Sequence, residues 1–134
     1  MNAALIRLVW QRANGRCEYC QMPQAADDAT FEIDHIVAQK HVGPSVASNL
    51  CLSCFYCNSF KGSDLSSLDP KTRKLTPLFN PRRHKWAKHF RWLGAHLVGR
   101  TPIGRVTVVL LHINDEYRVE LREGLIEEGV FPPP

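Results

Sequence analysis

Four of the five cysteines stand as two C-x-x-C pairs, Cys17/Cys20 and Cys54/Cys57, with Cys51 left over. One C-x-x-C turn delivers two thiolates from a tight loop, and two such turns close a tetrahedral four-sulfur site with no open position. That arrangement reads as a structural zinc site, built from Cys17, Cys20, Cys54 and Cys57. Structural zinc contributes about 10–16 kcal/mol in small folded units, whereas a whole domain is stable by only about 5–15 kcal/mol. The site therefore weighs as much as the rest of the fold. A redox pair is the competing reading of a C-x-x-C, but that use normally needs a βαβ setting, and no such pattern is visible. An odd cysteine count argues against a disulfide framework. Cys51 is expected to be a small buried hydrophobe.

The 33 residues between Cys20 and Cys54 exceed the usual ribbon gap, so something is inserted between the knuckles. Phe31 to Val37 (F-E-I-D-H-I-V) predicts a strand, bounded by loop residues. Lys40 to Ser48 predicts a loop and Asn49 to Ser53 a short returning strand. Cys54 to Lys61 has room for about two helical turns before Gly62 stops it. Ahead of the first knuckle, Leu5, Leu8 and Val9 predict an amphipathic helix from Asn2 to Ala13, ended by Asn14-Gly15. Beyond Ser63 the chain reads as loop, punctuated by Pro70, Pro77 and Pro81. Thr101-Pro102 is a helix start, followed by Val106, Val109, Leu110 and Ile113 at helical spacing. β-Branching in that run keeps a strand as the competing assignment. Tyr117, Leu121 and Leu125 predict a last helix ended by Gly129. The expected class is α+β: a β-hairpin and helix held by the cysteines over residues 1–66, with an N-terminal helix. A basic, helical C-terminal extension, residues 67–134, is expected to pack on the same single domain.

A length of 134 residues suits one domain, and 44% hydrophobic with 22% charged residues excludes a mainly disordered chain. The longest apolar run, Val106 to Ile113, is far below the roughly 20 residues of a membrane span. Met1 to Trp10 has no signal-peptide pattern, so a cytoplasmic setting without membrane association is expected. The net charge of +4 hides an asymmetry: residues 70–114 carry ten Lys/Arg and no acid, while residues 115–134 carry two against six acids. Ten unopposed cations form the footprint of a polyanion-binding face. Lys71, Arg73, Lys74, Arg82, Arg83, Lys85, Lys88 and Arg91 are the candidate phosphate contacts. Trp86, Phe90 and Trp92 lie among them and are read as core.

Asp34-His35, Asn49, Asn58 and Lys61 are weak signals singly and coherent together. Splitting a phosphodiester needs a water deprotonated near neutral pH, for which imidazole is suited. It also needs a hard cation to stabilise charge on the phosphate. His35 supplies the base, and Asp34 and Asn58 supply oxygens suited to magnesium or manganese. Neighbours on a regular strand point to opposite faces, so the strand must twist, bulge or end at Asp34-His35 if both serve one phosphate.

R-C-E-Y-C (16–20), E-I-D-H-I (32–36), N-L (49–50) and C-F-Y-C-N-S-F-K (54–61) together resemble the HNH endonuclease family, whose core is the ββα-metal finger. The spacing fits, with 14 residues from His35 to Asn49 and 9 more to Asn58. L-F-N-P-R (78–82), H-F-R-W (89–92) and T-P-I-G-R (101–105) are similar to the C-terminal part of one bacterial branch. The resemblance implies His35 as general base and Asp34 as ligand of the catalytic divalent ion. It makes Asn49 the residue that orients His35 through a hydrogen bond, Asn58 the second metal ligand and Lys61 a group near phosphate. The four cysteines match the zinc-binding subset of the family. Asn58 stands where the last histidine of the family name falls, which implies a hard, loosely metallated site. The expected function is hydrolysis of DNA phosphodiester bonds, by a monomer or homodimer, with RNA left open as a substrate. A catalytically inactive zinc module that binds nucleic acid is the alternative.

Overall fold

The computed structural model describes residues 1–134. Asn2 caps the first helix, its side chain accepting from the Leu5 N–H at 2.8 Å. Helix α1 (Ala3–Arg12) buries Val9 and gives way to Asn14 and Gly15, both left-handed with φ of 52° and 64°. The turn carrying Cys17 and Cys20 is bounded by a bridge between Arg16 and Pro23. Strands β1 (Glu32–His35) and β2 (Leu50–Ser53) pair antiparallel, Asp34 opposite Cys51 and His35 opposite Leu50. Cys54 caps α2 (Phe55–Lys61), its sulfur accepting from the Cys57 N–H, and Gly62 ends the helix at a φ of 51°. The strand–loop–strand–helix order is as expected. The first strand stops two residues short of Val37, because Asn49 ties that residue into the loop through both its N–H and its carbonyl.

The extension departs from the expected loop and helices. Strands β3 (Ser66–Leu68) and β4 (Leu75–Pro77) form one hairpin, and β5 (Phe90–Leu93) and β6 (His96–Gly99) form another. A short helix, α3 (Trp86–His89), leads into β5. Strands of three or four residues are too short to show alternation, so their signal lies in the turns. Asp69 organises the first, accepting from the Lys71 and Thr72 amides and from the Thr72 hydroxyl. Gly94, with φ of 59°, makes the second. Pro77 closes a strand, where its missing N–H is tolerated. Thr101 caps α4 (Pro102–Leu110) by accepting from the Gly104 N–H, and α5 (Glu116–Glu127) follows. The helix assignment over Val106 therefore holds against the strand. The whole is α+β, and no helix is long and apolar enough to cross a membrane.

One apolar cluster joins both segments, with Val9, Leu50 and Leu52 from the first and Phe79, Phe90, Leu97, Leu111 and Ile113 from the second. Phe90 is buried in it, and Trp86 and Trp92 are partly buried against it, which agrees with their reading as core. Helix α4 approaches the end of α3 so closely that a Cβ on Gly104 would lie 2.0 Å from the His89 carbonyl oxygen. Arg105, next along, donates from Nε and Nη2 to the two oxygens of the buried Asp69 at 3.0 and 2.9 Å.

That guanidinium, with the Thr72 hydroxyl and nearby amides, holds the Asp69 carboxyl well below the usual carboxylate range. A folded pKa depressed in this way adds stability above the unfolded value of about 3.9. The contribution is lost as pH falls through the folded value. Asp69→Asn is expected to lower the urea midpoint at neutral pH. It should also flatten the acid-side fall in stability below about pH 4, relative to the unaltered chain titrated in parallel.

Candidate active site and four-cysteine metal centre

The first knuckle and the start of α2 bring Cys17, Cys20, Cys54 and Cys57 together, all buried, with ligand atoms within 4.8 Å of one another. The Cys20 and Cys54 sulfurs are 3.7 Å apart. A tetrahedron with bonds of about 2.3 Å has an edge of about 3.8 Å, so the spacing fits four thiolates on one zinc ion. Hydrogen bonds from its sulfur neighbours, Cys17 first, push the Cys20 thiol down, while burial pushes Cys57 up. Four sulfurs this close do not all ionise without a cation among them. Cys51 lies outside the cluster and is buried as expected.

Arg118, from α5, was missed in the sequence. It is buried, and its Nη2 donates to the Cys57 sulfur at 3.0 Å, while Nη1 donates to the Leu111 carbonyl at 2.7 Å. Burial opposes its charge, but the attraction of Cys57, Cys20 and Cys54 prevails and raises its pKa. Four thiolates around a divalent ion leave a net charge of −2, and a buried guanidinium offsets part of it. Position 118 carried no local signal, since it lies 61 residues from Cys57.

Strand β1 ends at His35, so the neighbours Asp34 and His35 sit at a strand terminus. Asp34 is buried. Its Oδ2 meets the Lys61 ammonium at 3.2 Å, the Tyr19 hydroxyl at 3.4 Å and the Cys51 thiol at 3.7 Å. All of these contacts fall on Oδ2, which leaves Oδ1 free to accept a cation. Burial raises the Asp34 pKa, with Lys61 opposing. The His35 ring is half-buried, and its Nε2 lies 2.8 Å from the Ser45 hydroxyl. Asn58 stands on α2 one turn before Lys61, so the two share a helix face.

One assignment changes in this geometry. Asn49 does not bond the His35 ring: its Oδ1 accepts from the Val37 N–H, and its Nδ2 donates to the Val37 and Pro44 carbonyls. Its hydrogen-bonding capacity goes to shaping the loop that carries Ser45, and Ser45 makes the ring contact. Lys61, expected near phosphate, is buried with its ammonium on Asp34 and on the His35 carbonyl. Ser45 gave no sequence signal, because a lone serine in a loop is ordinary.

Of the basic residues, Lys71, Arg73, Lys74, Arg83, Lys85, Lys88 and Arg91 are exposed. Arg82 is partly buried in an ion pair with Glu18 and is the one least available to a phosphate.

Comparison with known proteins agrees with this arrangement. Residues 17–64, which hold both knuckles, the hairpin and α2, match the family model of the HNH endonuclease. This segment is therefore similar to an HNH endonuclease domain, and it carries a four-cysteine cluster that could hold a metal such as zinc. A wider likeness links the chain to the Septu protein PtuB of Bacillus thuringiensis, 27% identical over 106 residues. That alignment covers 78% of this chain and 38% of the relative, so the chain spans well under half of the relative's length. No solved structure matches the chain.

The Arg118 contact has a measurable consequence. Outer-shell partners of metal ligands typically affect affinity by about 10–100-fold. Arg118→Leu is expected to weaken zinc retention within that range, read by competition with a chromophoric chelator, with Arg118→Lys intermediate.

Proposed function

We propose that the chain hydrolyses phosphodiester bonds of DNA, using His35 as general base and Asp34 and Asn58 as ligands of a magnesium or manganese ion. The observation that best supports this reading is the junction at the end of β1. There a buried carboxylate with one uncommitted oxygen adjoins an imidazole held by a single hydroxyl. Asp34 Oδ1 and the Asn58 amide oxygen are hard donors suited to such an ion, whose chemistry is to stabilise charge on the phosphate oxygens. Lys61 already balances much of the Asp34 charge. The ion is therefore expected to exchange with solution rather than be retained.

Ser45 holds the His35 ring at Nε2. With Nε2–H donating to the Ser45 oxygen, the Nδ1 lone pair is left to take a proton from the attacking water. Asn49 acts at one remove, by fixing the backbone that carries Ser45. Tyr19 and Cys51 hold the Asp34 carboxylate in position. The four-cysteine cluster, read as zinc, has no open position and serves the fold. The exposed cations of the extension carry the strand past the centre. A single centre cuts one phosphodiester, so a monomer nicks, and double-strand cleavage requires a homodimer or two successive events. The likeness to PtuB over most of the chain supports treating the HNH segment and the extension as one functional unit.

His35→Ala is expected to fold, keep its zinc and bind DNA while losing cleavage by about 10²–10⁴-fold, the usual worth of a general base. Plasmid nicking with magnesium, with EDTA and with the variant tests this in one gel. Unchanged cleavage by the variant rejects the mechanism, and absence of metal-dependent cleavage by the unaltered protein favours the inactive binding module. If about five phosphates are neutralised, log affinity should fall with log salt at a slope near −4.5 on duplex DNA. A salt-insensitive affinity rejects the role given to the exposed cations.

A further inference from the structure

A cleft of about 230 Å³ opens beside the Asp34–Lys61 pair. Ile36, Leu78 and Phe79 give it an apolar floor, and Ile36 follows His35 directly in the chain. Lys61 joins the cleft to the candidate centre: it lines the cavity while its ammonium lies 3.2 Å from Asp34 Oδ2 and 3.3 Å from the His35 carbonyl oxygen.

The rim offers hydrogen-bonding groups of both senses. Arg83 is an exposed donor and Asp64 an exposed acceptor. His84 accepts from the Asn80 N–H through Nδ1 at 2.9 Å, which places its ring proton on Nε2 and makes it a second donor. A phosphate is a poor occupant, because the Asp64 carboxylate repels it and the apolar floor contributes nothing to it. A nucleobase satisfies both features. Its faces are apolar enough for the floor, and its edge carries donors and acceptors for the rim.

We propose that this cleft receives the unstacked base of a nucleotide bordering the phosphate at the His35 centre, so that the protein selects strands in which a base has already left the duplex stack. The inference rests on the nuclease reading above and names the feature of the substrate that the site recognises.

The test uses His35→Ala protein, zinc retained, and a short DNA duplex in three forms: fully paired, with one bulged adenine, and with a bulged abasic residue that keeps the kink without a base. Binding is read by fluorescence anisotropy. The adenine bulge is expected to bind about tenfold tighter or better than the other two, because unstacking is met before binding. Leu65 lines the cleft and is 44% exposed, so Leu65→Trp fills the cavity from a tolerant position. Added to the His35→Ala background, it should remove the adenine preference and leave the affinity for paired duplex unchanged. Pro77→Trp, filling from another exposed lining position, should do the same. Equal affinity for all three duplexes overturns the proposal and leaves the nuclease reading standing. So does an abasic bulge that binds as well as adenine, or a preference that survives both fillings. Failure to bind any duplex overturns the nuclease reading and this inference with it.

Discussion

Four cysteine sulfurs gathered within 4.8 Å of one another join the turn after α1 to the first residues of α2. With a metal ion among them, few other restraints in so short a chain would be as strong. The hairpin between the knuckles has only four residues in each strand, too few for independent stability. Tying both its flanks to one cluster converts that marginal pair into a fixed platform. Cys54 serves twice, as a member of the cluster and as the cap of α2, so the start of the helix and the sulfur site share one position. Arg118 extends the arrangement to the last helix, setting a buried positive charge against the cluster. The C-terminal part of the chain is thus bound to the core by electrostatics as well as by apolar contact.

The end of β1 holds groups of another character. Asp34 would be costly to bury alone, and it is accompanied by Lys61 from α2, Tyr19 from the first knuckle and Cys51 from the partner strand. Three separate stretches converge on one carboxylate oxygen and leave its twin unengaged. His35 ends the strand, and its ring is held by the loop that Asn49 shapes. On the proposed reading, the sulfur cluster serves stability and the oxygen and imidazole groups serve chemistry. Helix α2 contributes to both, through Cys57 and Lys61.

The extension adds cations without anions over residues 70–114, and two short hairpins with the segment between them display most of those cations to solvent. The hairpins are anchored inward by Phe79, Phe90 and Leu97 and by the buried Asp69–Arg105 pair. Anchoring the hairpin backbones leaves the long basic side chains free in solvent, where the proposed reading has them meet a strand of nucleic acid. Electrostatic attraction of that kind is sensitive to salt and indifferent to sequence, so any selectivity has to come from shape near the centre, where the apolar cleft lies.

The four cysteines, the order strand, loop, strand, helix, and the helix ends at Thr101 and Gly62 were all legible in the residues alone, because each depends on near neighbours and fixed spacing. The residues also suggested Asp34, His35 and Asn58 as candidates for one chemistry, and of these the structure sets Asp34 and His35 side by side at the end of β1. The extension's hairpins were not legible: their strands are too short to show a period, and their turns rely on the Asp69 side chain and on Gly94. Nor was the final wiring of the site. That Asn49 spends its bonds on backbone, that Ser45 holds the histidine, that Lys61 folds inward onto Asp34 and that Arg118 reaches Cys57 are all contacts between groups far apart in sequence or dependent on loop shape. Spacing determines which residues a turn or helix can present together. Only the packed chain decides which charge is left beside which, since that follows from burial and from the partners available once solvent is gone.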